Sequence, residues 1–273
     1  MVSGLDFPSV RRYLNDVFAL LFSYLGEDKV VSLYVFGSIL NDDYCDISDC
    51  DLLIVLNDEV SLKQIKRIRG SLECLEIKHG LRSKDYSLLG RILRSIEKST
   101  GMFESHFVCR KNDVLKGSFT RVFSTSRFMS KLLAPSAIVF GSVLSTARKI
   151  YGQDILREVA KPKHTTLMLL KSLAMNLLLS LSAIVLYPFS PKANKYEIEA
   201  AKWSMLASYY HLNESNPGIV EITNFFTNLG LSEYYFKRLL KLRKHYKNDV
   251  KFGLATPLQV LKIHTKTLSH SKK

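Results

Sequence analysis

The residues best equipped for chemistry lie in the run Y-V-F-G-S-I-L-N-D-D-Y-C-D-I-S-D-C-D-L-L-I-V-L, residues 34–56. An apolar segment runs into Gly37-Ser38, a polar stretch follows, and Asp49-Cys50-Asp51 opens a second apolar segment. On an extended chain residues two apart share a face, so Asp49 and Asp51 project together while Cys50 points the other way. Two parallel carboxylates at the end of a buried strand are costly unless a cation sits between them. Oxygen donors of this kind suit a hard divalent ion, Mg²⁺ or Mn²⁺. A glycine at a strand end lets the backbone approach a ligand closely, and the amides and hydroxyl around Gly37 and Ser38 suit phosphate oxygens. Phosphates on one side and metal-bound carboxylates on the other make a phosphoryl- or nucleotidyl-transfer site. The competing reading is a β-hairpin with a polar loop and two surface aspartates, which leaves the charge at the start of D-L-L-I-V-L unexplained.

Elements that could hold these residues follow from hydrophobic periodicity. Val10, Tyr13, Leu14, Val17, Phe18 and Leu21 predict a helix over 6–25, and V-V-S-L-Y-V-F predicts a buried strand over 30–36. Asp51 to Leu56 reads as a second strand, 61–98 as helix with a break near His79-Gly80, and M-F-E-S-H-F-V-C, 102–109, as a third strand. Beyond residue 112 helical patterns take over, through 127–150, 164–187, 193–213, 217–229, 232–248 and 256–267. The expected architecture is α+β: a small mixed β-sheet with flanking helices over 1–111, then a basic all-α helical bundle over 112–273.

Charge supports that division. The whole chain carries 39 Lys+Arg against 25 Asp+Glu, yet residues 1–110 have a net charge of −2 and residues 111–273 a net charge of +16. A strongly basic half suggests a polyanionic partner, with a general solubility charge as the plain alternative. With 47% hydrophobic residues in 273, there is enough apolar material for a core, and the composition is not that of a disordered chain. The four cysteines contain no C-x-x-C pair, which speaks against a zinc site or disulfide framework. No secretory leader is recognisable at the start, so a reducing cytoplasm is the expected compartment. The apolar stretch 167–187 is long enough for a bilayer, but Lys171, Asn176 and three serines interrupt it; a buried bundle helix and no membrane contact are expected.

The pattern apolar-Gly-Ser, a spacer of ten residues, then Asp-x-Asp with an apolar residue after it resembles the signature of the DNA polymerase β-like nucleotidyltransferase superfamily. The S-D-x-D-L form stands here as Ser48-Asp49-Cys50-Asp51-Leu52. That resemblance implies a small mixed sheet flanked by helices, often followed by an all-α domain. It also implies transfer of a nucleoside monophosphate from an NTP to an acceptor, with two Mg²⁺ held by Asp49 and Asp51 and the triphosphate at Gly37 and Ser38. The helical half resembles the bundle that follows this domain in kanamycin-type enzymes, with Tyr151-Gly152-Gln153-Asp154 in a corresponding place. The family expects a third carboxylate on a neighbouring strand, binding metal and activating the acceptor. Glu104 fits by strand alternation, Glu76 competes from a helical context, and absence of the third group would leave a protein that binds nucleotide or nucleic acid without catalysis.

Other candidates read more plainly. Asp42, Asp43 and Asp46 lack the central glycine and closing glutamate of a calcium loop. His106 reads as a hydrogen-bonded histidine near a sheet edge, and the cysteines as small apolar residues. The segment 236–251 carries an apolar stripe and presents Lys237, Lys241 and Lys244 on the other side of a helix, a candidate surface for a nucleic-acid acceptor. The acceptor itself (RNA, protein or small molecule) and the oligomeric state are not encoded in any motif.

Overall fold

The computed structural model describes residues 7–40, 50–81, 104–190 and 193–271. Among them are eleven α-helices and one mixed four-stranded sheet. Asp42, Asp43, Cys45, Asp46 and Asp49, residues 102–103 of the third predicted strand and residues 82–98 of the predicted long helix lie outside the described residues.

Two compact units divide the chain, and the division interleaves the sequence. Of the described residues, 7–40, 50–130 and 146–161 form the first unit, and 131–145, 162–190 and 193–271 form the second.

In the first unit, α1 (Pro8–Leu25) begins with proline at its first turn, where the missing N–H is not needed, and buries Val10, Tyr13, Val17 and Leu21. Strand β1 (Val30–Phe36) pairs antiparallel with β2 (Asp51–Leu56), placing Val35 opposite Leu52 and Phe36 opposite Asp51. Helix α2 (Leu62–Lys78) starts at Ser61, whose side chain and that of Gln64 satisfy each other's backbone N–H groups in a capping box. Strand β3 (His106–Arg110) runs parallel to β2, and β4 (Arg148–Gly152) antiparallel to β1, giving the order β3-β2-β1-β4. Leu33, Val35, Leu52, Ile54 and Val108 pack with α1 and α2 into one core. Phe36 stacks on Phe107, and Phe107 meets Phe123 edge-on. Two short helices, α3 (Lys111–Leu115) and α4 (Phe119–Val122), follow β3.

Two features depart from the sequence reading. The expected helix 127–150 is instead α5 (Arg127–Leu133), α6 (Ser136–Thr146) and then β4, with Pro135 standing between the helices. Tyr151-Gly152-Gln153-Asp154 therefore closes the sheet of the first unit, where the Tyr34 hydroxyl donates to the Gln153 carbonyl at 3.0 Å.

The second unit is helical, with α7 (Thr166–Leu186), α8 (Ala193–Asn213), α9 (Ile219–Asn228), α10 (Glu233–Lys244) and α11 (Val250–His270). Its apolar core gathers Ile198, Met205, Ile222, Phe226, Phe236, Leu239 and Phe252. Helices α7, α8 and α11 pack together, and each buries polar side chains: Ser172, Asn176 and Ser180 on α7, Ser204 and Ser208 on α8, Thr256 and His264 on α11. Burial holds the His264 imidazole down at about 4, so the ring is neutral; one nitrogen meets the Val260 carbonyl and the other the Ser172 hydroxyl at 3.2 Å. The expectation of a buried helix at 167–187 is met on this inner face alone. By length and composition α7 is long and apolar enough to cross a membrane, and its outer side chains are exposed leucines.

Candidate active site

The site forms where β1 ends beside the start of β2. Phe36 and Asp51 are the last cross-strand pair, so the residue after Phe36 must turn away directly opposite the Asp51 side chain. That residue is Gly37, with φ +77°, a conformation side-chain-bearing L-residues rarely adopt. A Cβ there would collide with the Asp51 carboxylate. Glycine is thus required twice, once for the turn and once to leave room for the carboxylate. The chain continues as a tight 3₁₀ turn, Gly37–Leu40, pinned by the fully buried Ile39 and leaving Ser38 half-buried at the strand mouth.

On β2 the alternation expected from the sequence is present. Cys50 is buried against the α1–α2 core while Asp51 is half-buried at the mouth. Asp49, its expected companion, lies outside the described residues. Among the described residues no group of three His, Cys, Asp or Glu side chains gathers to hold a metal ion. The carboxylate oxygens of Asp51, in the space that Gly37 keeps open, are the hard donors that Mg²⁺ takes, so the described part of the site fits such an ion.

Glu104 is half-buried and sits two residues before the β3 ladder begins at His106, the partner of Leu52. Strict alternation does not extend to it. Ser105 and His106 are consecutive, yet both side chains reach the same carboxylate, that of Glu76 on α2, with the His106 Nδ1 at 2.9 Å. The Glu76 group is 1% exposed, and its role is to tie α2 to the start of β3. His106 is accordingly the hydrogen-bonded residue on the outer strand that its pattern implied. Arg69, two turns earlier on the same face of α2, donates to the Val108 carbonyl; burial lowers its guanidinium, and the Glu104 charge acts on it in the opposite sense. None of these α2 contacts had a signature in the sequence. A cavity of about 480 Å³ lined by Glu27, Asp28, Asn57, Lys111 and Gln153 lies at the opposite end of β1 and β2 and has no part in this site.

Comparison with known proteins bears directly on this strand-turn-strand unit. Residues 21–98 match the family model "Polymerase beta, Nucleotidyltransferase". That segment is similar to a polymerase β-type nucleotidyltransferase domain. The matched nucleotidyltransferase segment begins inside α1 and takes in β1, the Gly37–Ser38 turn, β2 and α2, so the site described above lies wholly within it except for Glu104. Among solved structures, the crystal structure of spectinomycin adenyltransferase from Enterococcus faecialis with ATP and spectinomycin aligns with a TM-score of 0.56 at 10% identity. The alignment covers 94% of this chain and 98% of that one, and at that identity the likeness is one of fold: a nucleotidyltransferase sheet with a helical C-terminal part. No curated protein matches the sequence.

Proposed function

We propose that the protein moves a nucleoside monophosphate from an NTP, with ATP the first candidate, to a hydroxyl of a small molecule. The observation that carries this reading is the mutual fit of Gly37 and Asp51, a carboxylate held in the space of an absent side chain, inside a segment of the nucleotidyltransferase family. Support for the nucleotide and for the acceptor class comes from the adenyltransferase of the same fold, which was crystallised with ATP and a small molecule.

In this reading Asp49 and Asp51 hold divalent metal, Mg²⁺ in the first instance. When bound, such an ion neutralises charge on the triphosphate and aligns the attacking and leaving oxygens. The Gly37–Ser38 turn offers backbone N–H groups and a hydroxyl to the phosphates, where no side chain obstructs their approach. Glu104 takes the proton of the acceptor hydroxyl. The oxygen of that hydroxyl forms a bond to the α-phosphorus as the bond to the bridging oxygen breaks, and pyrophosphate leaves.

Pyrophosphate release, measured with each NTP and Mg²⁺ against pooled small-molecule, RNA and protein acceptors, tests the proposal. Asp51→Asn should reduce turnover by about 10²–10³-fold or more, the scale on which one transition-state charge contact counts. The variant should stay folded, as read by circular dichroism, because the amide is an isostere of the carboxylate. Glu104→Gln should abolish transfer while Glu76→Gln leaves it, since Glu76 is committed to Ser105 and His106. Full activity in Glu104→Gln would remove it from the mechanism, and no turnover with any acceptor would favour a nucleotide-binding protein.

A further inference from the structure

Two helices of the second unit turn apolar side chains outward. Helix α7 buries Leu169, Ser172, Asn176, Ser180 and Ala183, and on its opposite side exposes Leu178, Leu181 and Val185. Helix α11 buries Phe252, Val260 and Ile263 together with Thr256, Gln259, His264 and Thr267, and exposes Val250, Leu254 and Leu258. The two lie antiparallel, as two contacts fix. The Asn194 amide oxygen accepts from both the Tyr187 hydroxyl, at the end of α7, and the Asp249 N–H, at the start of α11. Farther along, Ser172 meets His264. Between these pins the six exposed apolar side chains stand at matching heights on neighbouring helices. Exposed apolar side chains in that number on two helices point to a partner for these faces.

Charge selects what that surface meets. Neither α7 nor α11 contains a single Asp or Glu, and they hold Lys171, Lys251, Lys262 and Lys266. Lys251 and Lys262 are exposed beside the α11 stripe; Lys171 folds back, its ammonium donating to the Lys131 carbonyl at 2.6 Å. A two-fold contact between copies through these helices would bring together two faces that carry lysine and no acid. An anionic lipid surface receives both features, the leucines entering the acyl boundary and the lysines meeting headgroup charge. Of the residues that interrupt the apolar stretch, Ser172, Asn176 and Ser180 face inward, Ser172 and Asn176 hydrogen-bonding each other at 3.2 Å, while Ser182 is exposed.

We propose that the outward faces of α7 and α11 dock this protein on anionic membrane surfaces, lying in the headgroup plane rather than crossing the bilayer. Crossing is unavailable to α7 while its inner face stays packed against α8 and α11.

Flotation of the full chain with phosphatidylcholine vesicles, with and without phosphatidylglycerol, tests this. The chain should float with the anionic vesicles and far less with the neutral ones. Lys251→Gln with Lys262→Gln should weaken anionic binding by about fivefold per lysine and flatten its salt dependence. Leu178→Gln, Leu181→Gln and Leu258→Gln together should abolish flotation with helicity retained by circular dichroism. A chain that floats with neither vesicle, or equally with both, overturns the proposal. So does a chain that is dimeric by light scattering, becomes monomeric in the leucine variant and ignores vesicles, which would assign the face to a second copy.

Discussion

A methyl group at Gly37 would meet two separate obstacles, and they can be told apart. The positive φ costs roughly 1–2 kcal/mol for any residue with a Cβ. The collision with Asp51 adds to that only while the carboxylate is present. Gly37→Ala should therefore lower the melting temperature and weaken NTP binding, and Asp51→Ala should recover part of the lost stability but none of the binding. A double-mutant cycle by thermal melts measures the coupling; strictly additive changes would mean that the carboxylate does not occupy the space beneath Gly37. The pair was legible in the sequence because each member ends an apolar strand and period-two alternation orients Asp51 without any knowledge of the fold. The Glu76 contacts to Ser105 and His106 were not, since they join a helix to a strand about thirty residues away. For the same reason Glu104 remains an assignment by pattern, two residues before the ladder whose alternation would orient it.

Elements were readable where burial imposed a period and unreadable where it did not. β1 and β2 are buried nearly throughout and match their predicted bounds. β4 lies at an edge with no buried residue, so R-K-I-Y-G carries no alternation to read and was absorbed into a helix. α11 was expected from 256 but starts at Val250, because Pro257, which usually ends a helical pattern, lies inside it and Asp249 caps it by accepting from the Phe252 N–H at 3.0 Å. Helix α8 carries an element-scale prediction. Glu197 is fully buried, neither carboxylate oxygen is hydrogen-bonded among the described residues, and it presses against Gly253, where a Cβ would collide with it. Burial, with a smaller push from the Asp249 charge, raises its carboxyl to about 8. The folded chain then keeps a proton that the unfolded chain releases near 4.5, so stability falls as pH rises between about 4.5 and 8, at most about 1.4 kcal/mol per pH unit, and levels off above. Glu197→Gln should remove that slope, read from urea midpoints at successive pH values, and be more stable than the parent at pH 8. An unchanged slope would mean the carboxylate is solvated or paired.

At the scale of the whole molecule the sequence divides into a slightly acidic stretch and a strongly basic one, while the fold interleaves the chain, since β4 comes from the basic stretch and joins the sheet. Net charge therefore located a composition change more faithfully than a structural one. It also overstated the case for a nucleic-acid acceptor. Lys237, Lys241 and Lys244 do stand exposed on α10 as their spacing implied, but Lys237 is paired with Glu233 at 2.7 Å, and Arg238 is held by both oxygens of Asp249. Two of the three lysines keep a charge with no ion pair within reach among the described residues, a thin basis for tracking a polynucleotide, whose affinity grows with each phosphate neutralised. If the acceptor is a small molecule, replacing the three lysines by glutamine should leave kcat/KM for transfer within about twofold, the size of a surface-charge change remote from the chemistry. Any retention of RNA should weaken alike for every sequence, its salt slope falling by about 0.7–0.9 per lost phosphate contact according to the nucleic acid used. Filter binding across a salt series and pyrophosphate release under the same conditions measure the two effects side by side. Loss of transfer to RNA in the triple variant, with pyrophosphate release to small acceptors unchanged, would instead make α10 the acceptor surface and the basic half its electrostatic guide.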